Sequence, residues 1–235
     1  MTTGCPVIVM AKAPVAGFAK TRLIPALGAQ GAAALAEYLL DRAIGRALDA
    51  RLGPVDLCCA PDMSHPALAR HAAWSGMTLS AQGDGDLGAR MARAFDRWLA
   101  RAGCALMIGT DAPALNAAML GRAAAALDDA DAVFIPALDG GYALIGLRCA
   151  APALFSGVAW STARVMADTR ERLAAAGLRH VELPAVADID EPADLLHLPP
   201  DWCLHRYGAG ESPLSDAPDR SSSTSPFRSD IVPRA

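Results

Sequence analysis

Short apolar segments alternate with longer segments of helical periodicity along most of the chain. Residues 6–11 (PVIVMA) are wholly apolar, and three later runs of similar length, at 105–109, 132–137 and 142–147, have the same character. An apolar run of this length, without alternation, is typical of a strand buried on both faces, as in a parallel sheet. The predicted strands are residues 6–11, 55–60, 77–81, 105–109, 132–137, 142–147 and 179–183.

The segments between these strands predict helices. Residues 88–102 are the clearest case, because Met91, Phe95 and Trp98 share one face while charged side chains cover the other. Gly177 predicts the end of the last helix. The predicted helices are residues 28–52, 66–74, 88–102, 116–127 and 162–176. Alternation of strands and helices predicts a Rossmann-like α/β fold, with a mixed, mostly parallel sheet and helices on both faces.

The alternating pattern ends near residue 200 of the 235-residue chain. Residues 1–200 have the length of one domain with a large core. Residues 201–235 are rich in Gly, Ser, Pro, Asp and Arg, and such a segment buries too little apolar surface to offset the entropy of ordering. We therefore predict a single domain at 1–200 and a largely disordered tail at 201–235.

Charge and composition exclude several classes of protein. With 21 basic and 25 acidic residues the chain lacks the basic surface of a nucleic-acid binder. No apolar run approaches the ~20 residues of a membrane helix, so no membrane contact is predicted and a cytoplasmic location is expected. The cysteines form no CxxC pair, which predicts reduced, mostly buried thiols rather than a zinc site. They are Cys5, Cys58, Cys59, Cys104, Cys149 and Cys203.

The loop after the first strand carries unusual charge. Lys12 and Lys20 are the only lysines among the 21 basic residues, and Arg22 follows directly. Ligands of open α/β sheets bind beyond the carboxyl ends of the strands, where ammonium and guanidinium groups can hold phosphates. Pro14 and Gly17 complete this loop, which matches neither the Walker A nor the GxGxxG motif. It predicts a phosphate-binding loop; the alternative is a chance cluster of solvated charges.

A second loop, residues 82–90 (QGDGDLGAR), follows the strand at 77–81. Its glycines allow a ligand to approach the backbone closely, and the amide of Gln82 could bind a base edge. Gln82, Gly83, Asp86 and Gly88 are therefore candidate nucleotide-binding residues. The alternative is a plain turn in which Asp86 caps the following helix.

Three aspartates are candidate metal ligands. Asp111 follows the strand at 105–109, and Asp188 and Asp190 are spaced to point the same way on an extended segment. Magnesium prefers one or two carboxylates together with phosphate oxygens. If these residues only hold a metal, removing Asp111 relieves repulsion and leaves stability unchanged or slightly higher. Alternatively, Asp111 is a helix cap or Asx turn, and Asp190 caps the helix that Glu191 opens.

A fourth loop, Asp139, Gly140, Gly141 and Tyr142, lies between two predicted strands. Its glycines would leave room for an acceptor substrate. The alternative is a tight hairpin turn, which Asp-Gly favours.

Six segments together resemble a known family. They are VIVMAKAPVAGFAKTRL, QGDGDLGARM, IGTDAPAL, DGGYALIGL, WST and DIDEPADL, in this order over about residues 5–197. The set is similar to bacterial GT-A-fold transferases labelled radical-SAM/selenodomain-associated, or arsenosugar-biosynthesis, glycosyltransferases. The KTRL stretch also resembles 2-phospho-L-lactate guanylyltransferases, and DIDEPADL resembles MobA-type nucleotidyltransferases.

The resemblance implies a nucleotide-diphospho-sugar transferase fold and a metal-assisted transfer with Mg²⁺ or Mn²⁺. It implies that Lys12, Lys20 and Arg22 contact donor phosphates, and that the loop at 82–88 lines the nucleotide. Asp111 would be the metal aspartate, with Asp188 or Asp190 as the second ligand. Asp139, Gly140, Gly141 and Tyr142 would face the acceptor. The residues taken as catalytic are Lys20, Arg22, Asp111 and Asp139.

The expected function is transfer from a nucleotide-diphospho-sugar to a small-molecule acceptor. Because Asp111 stands alone where many glycosyltransferases have two spaced carboxylates, nucleotidyl transfer from an NTP to a phosphorylated acceptor is the alternative. A non-catalytic nucleotide-binding protein is a third hypothesis. The expected partners are the nucleotide donor and the acceptor, and the expected assembly is a monomer or homodimer.

Overall fold

A computed structural model describes residues 4–202. They form a seven-stranded sheet in the order β3-β2-β1-β4-β6-β5-β7. β6 is antiparallel to both of its neighbours, and the other pairs are parallel. The strands are β1 (Val7–Lys12), β2 (Val55–Ala60), β3 (Met77–Ala81), β4 (Ala105–Ile108), β5 (Ala132–Pro136), β6 (Tyr142–Leu147) and β7 (His180–Glu182). The predicted mixed, mostly parallel α/β sheet is confirmed.

The helices are α1 (Ile24–Asp49), α2 (Pro66–Ala69), α3 (Leu87–Ala102), α4 (Ala117–Ala126) and α5 (Val165–Ala176). Two depart from the prediction. α1 starts before residue 28, with Pro25 in its first turn and a kink at Gly28, whose φ of 69° is outside the helical region. The helix predicted at 66–74 tightens after Ala69 into a 3₁₀ helix, Arg70–Ala73.

The sheet is covered on both faces, as predicted. One core cluster packs Leu40 and Ile44 of α1 with Leu120 of α4 against the sheet. The opposite cluster includes Phe95 of α3 and Leu173 of α5. Each helix thus buries one apolar stripe and leaves its polar face to solvent.

Among the described residues, one helical stretch, Thr21–Asp49, is long and apolar enough to cross a membrane, with a mean hydropathy of 1.3. Several of its apolar side chains, such as Leu35, Leu39 and Ile44, are fully buried within the protein core. A helix packed in the core of a protein can be as long and as apolar as a helix that crosses a membrane.

The described part of the chain extends two residues past the predicted domain boundary at residue 200, and that boundary stays a prediction. Trp202 is buried and packs on Tyr38 of α1, with ring centroids 5.2 Å apart. An indole buries a large apolar area, so this contact stabilises the packing of residues 201–202 against α1. Cys203 and the rest of the predicted tail lie outside the described residues.

Candidate active site

A cleft of about 630 Å³ opens at the edge of the sheet where β1 and β4 end and β6 begins. Its floor is apolar and includes Met10, Met107 and Ile145. Charged side chains from the loops lie around it. Those charged residues are Arg22, Asp111, Asp139, Asp188, Asp190 and Glu191. The position beyond the carboxyl ends of parallel strands is the one predicted from the sequence.

Lys20 contacts Asp111 directly, although only Asp111 lines the cleft. Lys20 Nζ lies 2.6 Å from Asp111 Oδ1, with the lysine side chain 7% exposed and the aspartate side chain 50% exposed. The same ammonium donates a hydrogen bond to the carbonyl of Ile189, and the Ile189 amide donates to the Asp111 carbonyl at 2.8 Å. The sequence suggested separate roles, phosphate contact and metal binding, but the structure joins the two side chains in one ion pair.

A second ion pair lies on the exposed rim of the cleft. Arg22 NH1 is 2.5 Å from Asp190 Oδ2 and 3.9 Å from Glu191 Oε1. Arg22 is 58% exposed, so this pair is solvated, unlike the pair of Lys20. Asp190 does not cap the helix that follows: Glu191 holds that position, in a capping box with Asp194.

The metal site predicted at Asp111, with Asp188 or Asp190 as the second ligand, stays a prediction. Within residues 4–202, no group of three or more His, Cys, Asp or Glu side chains is arranged to hold a metal ion. Asp190 contacts Arg22. Asp111 and Asp188 remain suited to a cation: Thr110 and Lys20 both contact Asp111 Oδ1, which leaves Oδ2 available.

Burial and nearby negative charges both act on the carboxyl of Asp188. Burial raises the pKa of its carboxyl, and the charges of Asp139, Asp194 and Asp111 raise it further. A cation between Asp188 and Asp111 would relieve that repulsion. Two carboxylates with phosphate oxygens and water suit magnesium, so these two residues fit the metal that the resemblance implies.

Asp139 begins the turn between the antiparallel strands β5 and β6. Its Oδ1 accepts a hydrogen bond of 2.8 Å from the Gly141 amide, while both residues line the cleft. Gly140 has a different role from the one predicted. Its φ is 92°, and a Cβ there would lie 2.2 Å from the Ala163 carbonyl oxygen. Gly140 therefore permits close packing against the segment before α5 rather than making room for an acceptor.

Tyr142 lines the cleft beside this turn. Its ring packs edge-on against Phe134, with centroids 5.5 Å apart. Burial raises the pKa of its hydroxyl. The phenol is therefore a neutral hydrogen-bonding group throughout the physiological range.

Gln82 does not offer its amide nitrogen to a nucleobase. The side chain is buried, and Nε2 donates to the carbonyls of Ala11 and Cys58, both at 3.0 Å. The physical reason is that a buried amide must satisfy its hydrogen bonds, and here it ties β1 to β2. The predicted base contact is corrected to a structural one.

The rest of the second loop also follows the alternative of a turn and helix cap. Asp86 Oδ1 accepts from the Ala89 amide at 2.8 Å and caps α3. A Cβ on Gly83, whose φ is 73°, would lie 2.7 Å from Arg93 NH1. A Cβ on Gly88 would lie 2.2 Å from the Phe155 carbonyl oxygen and 3.0 Å from Trp160. These positions do not line the cleft; their glycines allow close packing.

Besides Lys20, three other candidate residues of the first loop lie outside the lining of the cleft. Lys12 is exposed at the end of β1, Pro14 is buried, and Gly17 is exposed with a φ of 84°. Their proposed contacts with a nucleotide stay predictions. Lys12 differs from Lys20 in having its side chain open to solvent.

Several cleft residues were not chosen as candidates from the sequence. Trp160, Ser161 and Thr162 line the wall before α5, and Ser161 has a left-handed φ of 62°. Left-handed backbone at a residue other than glycine is a common mark of functional sites. The WST segment was the available signal, but it carried no predicted role. The floor residues Met10 and Met107 were indistinguishable in sequence from ordinary core.

Three solved structures similar to this one are two proteins named as transferases and one named as a synthase. A protein of Desulfovibrio desulfuricans G20, provisionally named a nucleotide-diphospho-sugar transferase, is 29% identical with a TM-score of 0.74, over 82% of this chain and 85% of that chain. The 4-diphosphocytidyl-2C-methyl-D-erythritol synthase of Anaerococcus prevotii DSM 20548 is 9% identical with a TM-score of 0.57, over 83% and 96%. A nucleotidyl transferase of Methanothermobacter thermautotrophicus is 14% identical with a TM-score of 0.52, over 83% and 95%.

The two more distant likenesses show the fold alone, and they agree with the predicted nucleotide-diphospho-sugar transferase fold. No curated protein matches the chain. Residues 42–162, from within α1 to the wall of the cleft before α5, match a family described as an uncharacterized protein conserved in bacteria, DUF2064. The chain belongs to the DUF2064 family.

Proposed function

We propose that this protein transfers a sugar from a nucleotide-diphospho-sugar to the hydroxyl of a small-molecule acceptor. The observation that carries the proposal is the contact of Lys20 with Asp111 beside a cleft of about 630 Å³. This contact joins the cationic loop after β1 to the aspartate after β4, at the sheet edge where α/β proteins bind ligands. The cleft also has the volume of a small-molecule site.

The donor diphosphate would lie near Arg22, Lys20 and Asp111. Lys20 and Arg22 are each already paired with a carboxylate. These two side chains therefore cannot neutralise a diphosphate alone. Asp111 and Asp188 would hold Mg²⁺ or Mn²⁺, which supplies positive charge to stabilise the leaving diphosphate. The side chain of Lys20 would then fix the orientation of Asp111, while Arg22 is free to turn from Asp190 toward a phosphate.

The charge of the cleft favours a hydroxyl acceptor over a phosphorylated one. Five carboxylate side chains line it, whereas Arg22 is its only lining lysine or arginine within the described part of the chain. With Asp111 and Asp188 assigned to the cation and Asp190 and Glu191 beside Arg22, Asp139 is left without a compensating charge. It would repel a phosphate acceptor, which nucleotidyl transfer to a phosphorylated substrate requires. A neutral sugar or alcohol would not be repelled.

Asp139 is the candidate general base. Its Oδ1 is held by the Gly141 amide. No hydrogen bond to Oδ2 occurs within residues 4–202, so this oxygen is available to accept a proton from the acceptor hydroxyl. As the hydroxyl oxygen attacks the anomeric carbon, the bond to the diphosphate breaks and its charge is stabilised on the donor side. Tyr142 and Trp160 would form the neutral wall that contacts the acceptor.

Nucleotidyl transfer is the second candidate, and the names of the Anaerococcus and Methanothermobacter proteins favour it. The provisional name of the more similar Desulfovibrio protein favours sugar transfer. Both reactions need a nucleotide donor and stabilisation of phosphate charge, so they share the donor residues and differ at the acceptor.

Product analysis separates the two reactions. The protein is incubated with Mg²⁺ and panels of NDP-sugars and NTPs, each with sugar, alcohol and phosphorylated acceptors. The proposal expects acceptor-dependent release of NDP from an NDP-sugar, lost in Asp139→Asn and kept in Asp129→Asn, a matched change at an exposed aspartate beyond α4. Release of pyrophosphate from an NTP would contradict the proposal and would identify the reaction as nucleotidyl transfer. Binding without turnover of any donor would favour the non-catalytic hypothesis.

A further inference from the structure

Two cysteines face each other at the edge of the sheet opposite the cleft. β1 and β4 are adjacent and parallel, and Val7 is the register partner of Leu106. Two residues earlier on each chain segment stand Cys5 and Cys104. Because side chains alternate along a strand, both cysteines lie on the same face as Val7 and Leu106. All four belong to, or pack against, one core cluster.

The two thiols lie close enough for Cys104 to raise the pKa of the Cys5 thiol, and both cysteines are unbridged. Neighbouring strands lie about 4.8 Å apart, within the Cα separations of about 4.4–6.8 Å that disulfides span. Hydrogen bonds hold the backbone on both sides: the Cys5 amide donates to Leu52 at 2.8 Å, and the Leu106 amide donates to Pro6 at 2.9 Å.

We propose that Cys5 and Cys104 form a reversible intramolecular disulfide when the protein meets a peroxide. Cys104 is partly exposed and Cys5 is buried, so Cys104 is the cysteine that an oxidant would reach first. The Cys104 thiolate attacks a peroxide oxygen, the O–O bond breaks, and a sulfenic acid and one water form. The Cys5 sulfur then attacks the Cys104 sulfur, the S–S bond forms, and a second water leaves. Two thiols are thereby oxidised by one peroxide.

The environment of Cys5 sets the rate of this reaction. Burial raises the pKa of the Cys5 thiol, and the nearby charge of Asp128 raises it further. The second step therefore needs a thiol that ionises reluctantly, and it becomes faster at alkaline pH. The two thiols are therefore expected to form the disulfide slowly at neutral pH.

The other described cysteines lack such a partner. Cys58 and Cys59 are adjacent on β2 and point to opposite faces of the sheet, and Cys149 follows β6. Cys149 is partly exposed like Cys104, which makes Cys149→Ser the matched control. The disulfide would join the first strand to the middle of the chain, and a cross-link over a long loop restricts the unfolded chain most.

Tryptic mapping tests the proposal in the wild-type protein first and then in two variants. Trypsin releases Cys5 in the peptide of residues 1–12 and Cys104 in the peptide of residues 102–122, and neither contains another cysteine. After treatment with hydrogen peroxide and alkylation of the remaining thiols, the two peptides should appear joined, with the loss of two hydrogen atoms. Dithiothreitol should separate them. The joined peptide should persist in Cys149→Ser and be absent in Cys104→Ser.

A second readout is thermal unfolding. Oxidation should raise Tm of the wild-type protein by about 5 °C or more, and not that of Cys104→Ser. Recovery of Cys5 and Cys104 as separate alkylated, sulfinic or sulfonic peptides after peroxide treatment would overturn the proposal. So would a cross-link in which either residue is joined mainly to a different cysteine.

Discussion

At the scale of residues, the cleft contains two ion pairs of different character. Lys20 is buried and meets Asp111 and the Ile189 carbonyl, whereas Arg22 and Asp190 are both largely in solvent. A buried ammonium depends on its partners, because removal of one leaves a charge with no water to replace it. An exposed pair contributes little, since water and salt screen it.

We predict that Asp111→Asn lowers the free energy of unfolding by about 1–2 kcal/mol, because Lys20 loses its charged partner. This reverses the expectation from the sequence that removing Asp111 leaves stability unchanged or higher. Urea unfolding of Lys20→Met, Asp111→Asn and the double variant measures the coupling between the two side chains. The equivalent cycle for Arg22→Met and Asp190→Asn is the control, with coupling below about 1 kcal/mol. Equal coupling in the two cycles would contradict this account.

A second prediction concerns the pH dependence that Asp188 introduces. Its pKa in the folded protein is raised above the ordinary value of 3.8. The folded protein therefore binds this proton at a higher pH than the unfolded chain does. Ionised Asp188 costs stability at neutral pH, and the cost falls as pH drops through the raised pKa. Asp188→Asn should raise the free energy of unfolding at pH 7 by up to about 1 kcal/mol and leave it unchanged below the ordinary pKa.

Metal addition provides the matching measurement for Asp188. If this carboxylate binds a cation together with Asp111, millimolar Mg²⁺ or Mn²⁺ with a nucleoside diphosphate should raise Tm of the wild type more than Tm of Asp188→Asn. Asp129→Asn, at an exposed aspartate beyond α4, serves as the control and should respond as the wild type does. A metal-dependent rise that is the same in all three proteins would remove Asp188 from the metal site.

At the scale of elements, close packing fixes the walls of the cleft. The first turn of α3 lies against the segment before α5, because Gly88 has no Cβ to contact Phe155 and Trp160. We predict that Gly88→Ala lowers the free energy of unfolding by about 1–3 kcal/mol through overpacking. Gly121→Ala is the matched control, since a Cβ at this site in α4 meets nothing within 4 Å. That change should stabilise by about 0.5–1 kcal/mol. Thermal unfolding of both variants checks the difference in sign.

A further prediction concerns Gln82, whose side chain links strands β1 and β2. Its amide donates to the carbonyls of Ala11 in β1 and Cys58 in β2. Gln82→Glu replaces that donor by an acceptor facing two carbonyls, and should lower the free energy of unfolding by about 2–3 kcal/mol at pH 7. Gln30→Glu, on the exposed face of α1, should change it by less than about 0.5 kcal/mol. If both substitutions changed the free energy of unfolding equally, the side chain of Gln82 would not stabilise the fold, and its predicted contact with the nucleotide would be favoured again.

The sequence predicted the helices and strands better than it predicted the contacts between side chains. The strands were identifiable because a wholly apolar run such as residues 6–11 has the length of a strand buried on both faces and is too short for a core helix. The start of α1 was missed because its first turn contains Pro25 and is followed by the kink at Gly28. The helix predicted at 66–74 changed to 3₁₀ geometry after Ala69, a local tightening that periodicity does not distinguish.

At the scale of the whole molecule, topology determined which candidates meet. The order of the sheet brings the loops after β1 and β4 together, so Lys20 and Asp111 meet although they are distant in sequence. Their ion pair was not predicted, because spacing along the chain shows which edge a side chain reaches but not its partner. Gln82 was misassigned for a related reason: whether a polar side chain faces a ligand or a neighbouring strand depends on packing.

The central claim is that this cleft binds the phosphates of a nucleotide donor with the help of a divalent cation. Calorimetric titration of the wild-type protein with each nucleoside diphosphate and its nucleoside, with and without Mg²⁺, tests it most directly. At least one diphosphate should bind tenfold or more tightly than its nucleoside, since each charge-assisted contact contributes about 1.5–3 kcal/mol. Removing Mg²⁺ should abolish most of that difference. Equal affinity for nucleoside and diphosphate in the presence of Mg²⁺ would contradict the account.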